Sequence, residues 1–106
     1  MMNTRQQVVR EEEPENLVAF LKQGNIDIRW RAARILGSMG SQSYDPLVEA
    51  LYDDDKGVRI LAAWALGKTG ESRAIAALLR ASPDDDNIAQ LAIDCAVERL
   101  LAGQHY

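Results

Sequence analysis

A chain of 106 residues, 47% hydrophobic and 26% charged, has the size of one ordinary domain and a globular composition. Twelve basic side chains against sixteen acidic ones leave a net charge of −4, the wrong sign for general nucleic-acid binding. One cysteine excludes an internal disulfide and an all-cysteine metal site, and one histidine removes most zinc sites and most histidine catalysis.

Residues 1–13 are polar and form a separate N-terminal segment, either a partial helix over 3–12 carrying Val8 and Val9 or loose chain. The acidic run Glu11 to Glu15 reads as a solvated helix entrance, with an acidic tail for a basic partner as the other reading. No secretory signal and no apolar run of about 18 residues is present, so no membrane contact is expected. With the lone cysteine this points to a cytoplasmic setting.

From residue 14 onward the apolar spacing is helical. A short helix over 14–23 opens on Pro14 and carries Leu17, Val18 and Leu21. After the turn Gln23-Gly24-Asn25, a longer helix over 27–39 carries Ile28, Ala32, Ile35, Leu36 and Met39, with Asp27 as its cap and Gly40 as its left-handed end. A short helix over 45–52 follows, capped by Asp45, with Pro46 in its first turn. Asp53-Asp54-Asp55 leads into a helix over 56–69 that ends at Gly70. The last pair spans 72–81 and 86–102, with Asp86 as cap and Gly103 as left-handed end. Each repeat unit is thus a short helix A and a longer helix B.

Shifting the chain by 30 residues superposes 17–40 on 47–70 with 9 identities in 24 positions, where chance gives roughly one or two. Leu36 and Gly37 fall on Leu66 and Gly67, and Ala32 and Ala33 on Ala62 and Ala63. A second ungapped shift of 30 gives 4 identities in 24, including Leu61 on Leu91 and Ala62 on Ala92. The pattern predicts an all-α fold, an α-solenoid of about three helix pairs. It is one domain over 14–106, with repeats at about 14–43, 44–71 and 72–103. Gly37 and Gly67 lie inside helix B, where glycine costs roughly 1 kcal/mol, so their recurrence predicts close approach of a neighbouring helix.

Val58-Arg59-Ile60-Leu61-Ala62-Ala63-Trp64-Ala65-Leu66-Gly67 with Gly70 resembles the second helix of HEAT-like repeats, most closely the short variety named after the phycobilisome lyases. Ile28-Arg29 through Leu36-Gly37 and Gly40 repeats the pattern. The resemblance covers roughly residues 14–101 and implies a structural ladder between repeats, which by position falls to Arg29, Asp53, Asp55 and Arg59. The third copy has Ala89 where the arginine belongs, consistent with a capping repeat. Some enzymes of this repeat class carry paired His-Glu motifs and others a basic groove, while the phycobilin lyases of the class are larger and work with a partner subunit. This chain has neither motif nor groove, and no cofactor or catalytic residue is assigned.

The acidic runs Asp53-Asp54-Asp55 and Asp84-Asp85-Asp86 fail the EF-hand pattern at loop position 5. They read as helix-entrance charges, and no metal is expected. Cys95 falls in an apolar column with Ile35 and Ala65 and reads as a buried, inert thiol; His105 stands beside the C-terminal residue and is expected to be mobile.

On helix B, with Ile28 set at zero, the expected core direction is about 30°, while Trp30 and Arg34 fall at about 200° and 240°. Their row continues through Ile60, Trp64, Lys68 and Asp94, a candidate partner-binding face with the Trp and Arg content of an interaction hot spot. The competing reading lays both tryptophans over the gaps between neighbouring B helices. The functional expectation is a non-enzymatic interaction module or small scaffold binding a protein or peptide on this face. Two alternatives are an accessory subunit of a lyase-like or maturation enzyme complex, and self-association. Co-purification with an active subunit distinguishes the first alternative.

Overall fold

The computed structural model describes residues 13–81 and 87–103. The expectations for residues 1–12, for the Asp84-Asp85-Asp86 cap and for His105 lie outside the described residues. Among the described residues there are six α-helices, in order: α1 Pro14–Ala19, α2 Ile26–Ser38, α3 Tyr44–Ala50, α4 Lys56–Thr69, α5 Ala74–Arg80 and α6 Asn87–Ala102. A 3-10 turn, Gly40–Ser43, joins α2 to α3. Among the described residues all regular structure is helical.

The short helices are held by their neighbours more than by themselves, since isolated helices this short are marginal in water. Pro14 opens α1 and Leu17 is its buried contact. The longer helices carry real caps. Asn25 accepts from the Ile28 amide at 3.1 Å, so it is Asn25, and not Asp27, that caps α2. Asp27 instead sits in the first turn, where its charge meets the helix dipole. Asp55 caps α4 by accepting from the Gly57 amide at 2.8 Å. Asp45 likewise makes no cap: Ser43 holds the N-terminal position of α3, and its hydroxyl donates backward to the Leu36 carbonyl at 2.7 Å. That bond satisfies the one buried polar side chain of the described core and ties α2 to α3. Gly40 and Gly70 take the left-handed conformation with φ of 61° and 76°, whereas Gly103 does not and simply extends the last turn of α6.

The helices form stacked pairs in two layers. The long helices α2, α4 and α6 lie side by side with α4 central, and the short helices α1, α3 and α5 cover the other side. Leu21, Leu36, Leu47, Leu66 and Leu78 are completely buried between the layers. Close approach within the long-helix layer depends on glycine. A Cβ on Gly37 would stand 2.8 Å from Lys68 Cβ and 3.2 Å from the Ala65 carbonyl oxygen. One on Gly67 would stand 2.9 Å from Ala96 Cα. Both glycines therefore mark helix contacts, as their recurrence in the sequence predicts.

Two expectations about the core need correction. The buried residues of α2 are Ala32, Ala33, Leu36 and Gly37, whose mean direction is about 110° and not 30°. Ile28 and Ile35 are consequently exposed, at 40% and 43%. Their counterparts in α4, Val58 and Ala65, are buried, because α2 packs against that flank and no described helix packs against the same flank of α2. Cys95 is the second correction: it is exposed. Burial of Ala89, Ile93 and Ala96 in α6 matches burial of Val58, Ala62 and Ala65 in α4, so the buried stripes of these two helices align at an offset of 31 residues. One residue of slip turns a helix by about 100°, which carries Cys95 out of the Ala65 column and into that of Trp64.

Candidate functional site

Trp30 on α2 and Trp64 on α4 meet edge to face, with ring centroids 5.1 Å apart and planes at 87°. With the core direction corrected, Trp30 stands about 90° from it, on the flank that also carries Gly37 and faces α4. The two rings thus bridge neighbouring helices, a contact worth about 0.5–1.5 kcal/mol beyond area burial. Lys68, one turn after Trp64, places its ammonium 5.3 Å from the Trp64 ring centre, a cation–π geometry. Of the predicted face residues, Trp30, Trp64 and Lys68 therefore cluster directly.

Beyond Trp64 the surface opens into an apolar groove of about 260 Å³ between α4 and α6. Ile60 and Trp64 form one wall; Ile88, Leu91 and Cys95 form the other, with Arg99 at one end. Ile88 and Leu91 are each 62% exposed, which is unusual for such residues on a helix that also has a buried stripe. That stripe consists of Ala89, Ile93, Ala96 and Leu100, so α6 has two apolar stripes, and one of them faces water. Arg34 is exposed on α2. Asp94 lies outside the groove and accepts a hydrogen bond from the Gln90 amide nitrogen at 2.9 Å. The sequence reading did not include Ile88, Leu91, Cys95 and Arg99 on this face. The available signal was the double apolar stripe of α6, which a shift of 31 residues aligns with Ile60, Trp64 and Lys68.

The residues of the implied ladder adopt a definite arrangement at the turns between A and B helices. Arg29 donates to the Lys22 carbonyl at 3.2 Å, and Arg59 donates to the Asp53 and Asp54 carbonyls at 2.7 and 3.1 Å. Each guanidinium thus closes the turn of its own repeat. The ion pair that crosses between repeats is Lys22–Asp53, at 3.1 Å. Arg29 also reaches across: its Nη1 lies 3.1 Å from where a Cβ on Gly57 would be, beside the Asp55 carboxylate, so the absence of a side chain at Gly57 makes room for the arginine. The Asp55 backbone N–H holds the Asp53 carboxyl below its ordinary range, against some opposing desolvation, with the Lys22 ammonium and Arg59 adding to the effect.

Among the described residues no three His, Cys, Asp or Glu side chains converge as a metal cage. No described helix is long and apolar enough to cross a membrane. A family model described as HEAT repeats matches residues 14–95. No curated protein matches the chain. The glycine-mediated helix contacts, the stacked pairs and the extent of that match agree, and the chain belongs to the HEAT-repeat family.

Proposed function

We propose that the protein is a non-enzymatic interaction module that binds a protein or peptide on the exposed face of its B helices. The described helices are read as three HEAT-like repeats at about 14–43, 44–71 and 72–103 in one domain, with the last repeat offset by one residue. The observation that carries the reading is the apolar groove in which exposed Ile88 and Leu91 face Ile60 and Trp64. A helix that served only to pack against α4 and α5 would gain nothing from a second, water-facing apolar stripe, and exposed apolar patches rimmed by polar residues mark interaction sites. Trp64 is the proposed anchor, with Ile60, Leu91 and Trp30 around it and Arg34 and Lys68 as polar neighbours. Arg29, Asp53, Asp55 and Arg59 are assigned a structural role that fixes the angle between repeats.

Affinity capture with the wild-type chain, compared with Trp64→Ala and Leu91→Asp, tests the reading. Proteins held by wild type and lost by both variants, with melting temperature preserved, support it. Retention of the same partners by both variants contradicts it. An enzyme among the captured proteins whose activity depends on this chain favours the accessory-subunit alternative.

A further inference from the structure

We infer that the groove selects a segment carrying one large apolar residue next to a carboxylate. The inference rests on the binding reading above. A groove of about 260 Å³ falls below the roughly 300–1,000 Å³ of small-molecule cavities, so it takes an anchor side chain and not a whole ligand.

Charge at one end of the groove supplies the second requirement. Arg99 lines the apolar groove and also a wider cavity of about 770 Å³ at the C-terminal ends of α4 and α6, where Lys68, Gly70 and Ser72 form part of the wall. Arg99 therefore stands where the two cavities adjoin, and Lys68, on the wall of the wider one, holds its ammonium 5.3 Å from the Trp64 ring that lines the groove. Neither has an ion-pair partner among the described residues. Both lie in the last turn of their helices. Each helix end carries about half a negative charge, which a full positive charge on each side chain outweighs; of the nearby carboxylates, Glu71 is paired with Arg73 at 3.3 Å. The two cations occur in a chain whose net charge is −4. An apolar side chain seated between Trp64 and Leu91 would place a neighbouring Asp or Glu over the two cations, while a neighbouring Lys or Arg would be repelled there.

The test is selection of binders from a display library of random peptides against the full chain, followed by affinity measurement with purified peptides. The expected binders place Asp or Glu beside a large apolar residue. Their affinity should fall about tenfold in the Lys68→Glu/Arg99→Glu double variant, which should instead prefer peptides with Lys at the acidic position. Circular dichroism melting checks that the variants fold. Binders without acidic enrichment, or binders indifferent to the charge reversal yet weakened by Trp64→Ala, overturn the acidic chemistry and leave the binding face standing. Binders whose affinity survives both Trp64→Ala and Leu91→Asp overturn the face itself, and so does a selection that yields no binder.

Discussion

Helices α4 and α6 have similar apolar content and opposite fates. In α4, Val58, Leu61, Ala62, Ala63, Ala65, Leu66 and Gly67 are all buried, about two-thirds of the circumference. In α6 only Ala89, Ile93, Ala96 and Leu100 are buried. Helix α4 has a long neighbour on each side and α6 has one. At the positions where α4 offers Ala63 and Gly67 to that neighbour, α6 carries Asp94 and Glu98, both exposed. Small residues thus admit a neighbouring long helix, and carboxylates stand exposed at the matching positions of α6. The second apolar stripe of α6, Ile88, Leu91 and Cys95, shares the groove with Trp64.

Exchanging these flank residues should give the largest effect. Ala63→Asp places an unpaired carboxylate where the native residue is 1% exposed and should destabilise by several kcal/mol, enough to unfold a domain this small. Asp94→Ala, its counterpart on α6, should change stability by no more than about 0.5 kcal/mol. Equal effects in a denaturant titration would mean that the flank of α6 carrying Asp94 is packed like that of α4.

Next come the core leucines. Leu36→Ala and Leu66→Ala remove fully buried side chains and should each cost about 2–5 kcal/mol. Trp64→Ala, two residues away on the half-buried groove wall, should cost less, about 1–2 kcal/mol, from the lost contact with Trp30 and part of its burial. A Trp64→Ala melting curve as depressed as that of Leu66→Ala would make Trp64 a core residue.

Glycine contacts separate the two helices at a finer scale. Gly67→Ala forces a Cβ to within 2.9 Å of the Ala96 backbone. The overpacking should cost about 1–3 kcal/mol and outweigh the roughly 1 kcal/mol gained in helix propensity. Glu98→Ala on α6 should stay within about 0.5 kcal/mol of wild type.

Much of this fold was legible in the sequence, because the 30-residue recurrence of Leu-Gly and Ala-Ala pairs reflects helix packing directly. The boundaries 56–69 of α4 came out as observed, and those of α2 within one residue. The direction of the core was not legible at first, for a physical reason. Ile28 and Ile35 look like core residues by type, yet in α2 they lie on a flank that no described helix covers. Nor was the register of α6. Leu61/Leu91 and Ala62/Ala92 are identities that favour a shift of 30, while burial equates Ala65 with Ala96. Chemical identity of two pairs prevailed over the contact geometry, and so Asp94 entered the candidate face while Leu91, Cys95 and Arg99 were omitted.

The smallest predicted effect concerns acid. The folded-state pKa of Asp53 is lowered, chiefly by the Asp55 backbone N–H, so its contribution to stability is present above the unfolded carboxylate range near pH 4. It is lost as the pH falls through that range toward the folded value. Asp53→Asn should flatten this part of the stability profile between about pH 5 and 3 without touching α6. An unchanged acid profile would remove the Asp55 N–H bond to the Asp53 carboxylate from the account.

The register of α6 underlies the groove and the proposed ligand chemistry, and Cys95 reports it directly. Alkylation of the native protein should proceed within about tenfold of the rate in denaturant, as for an exposed thiol. Native labelling slowed by a hundredfold or more, so that modification waits on local opening, would place Cys95 in the core and contradict the account.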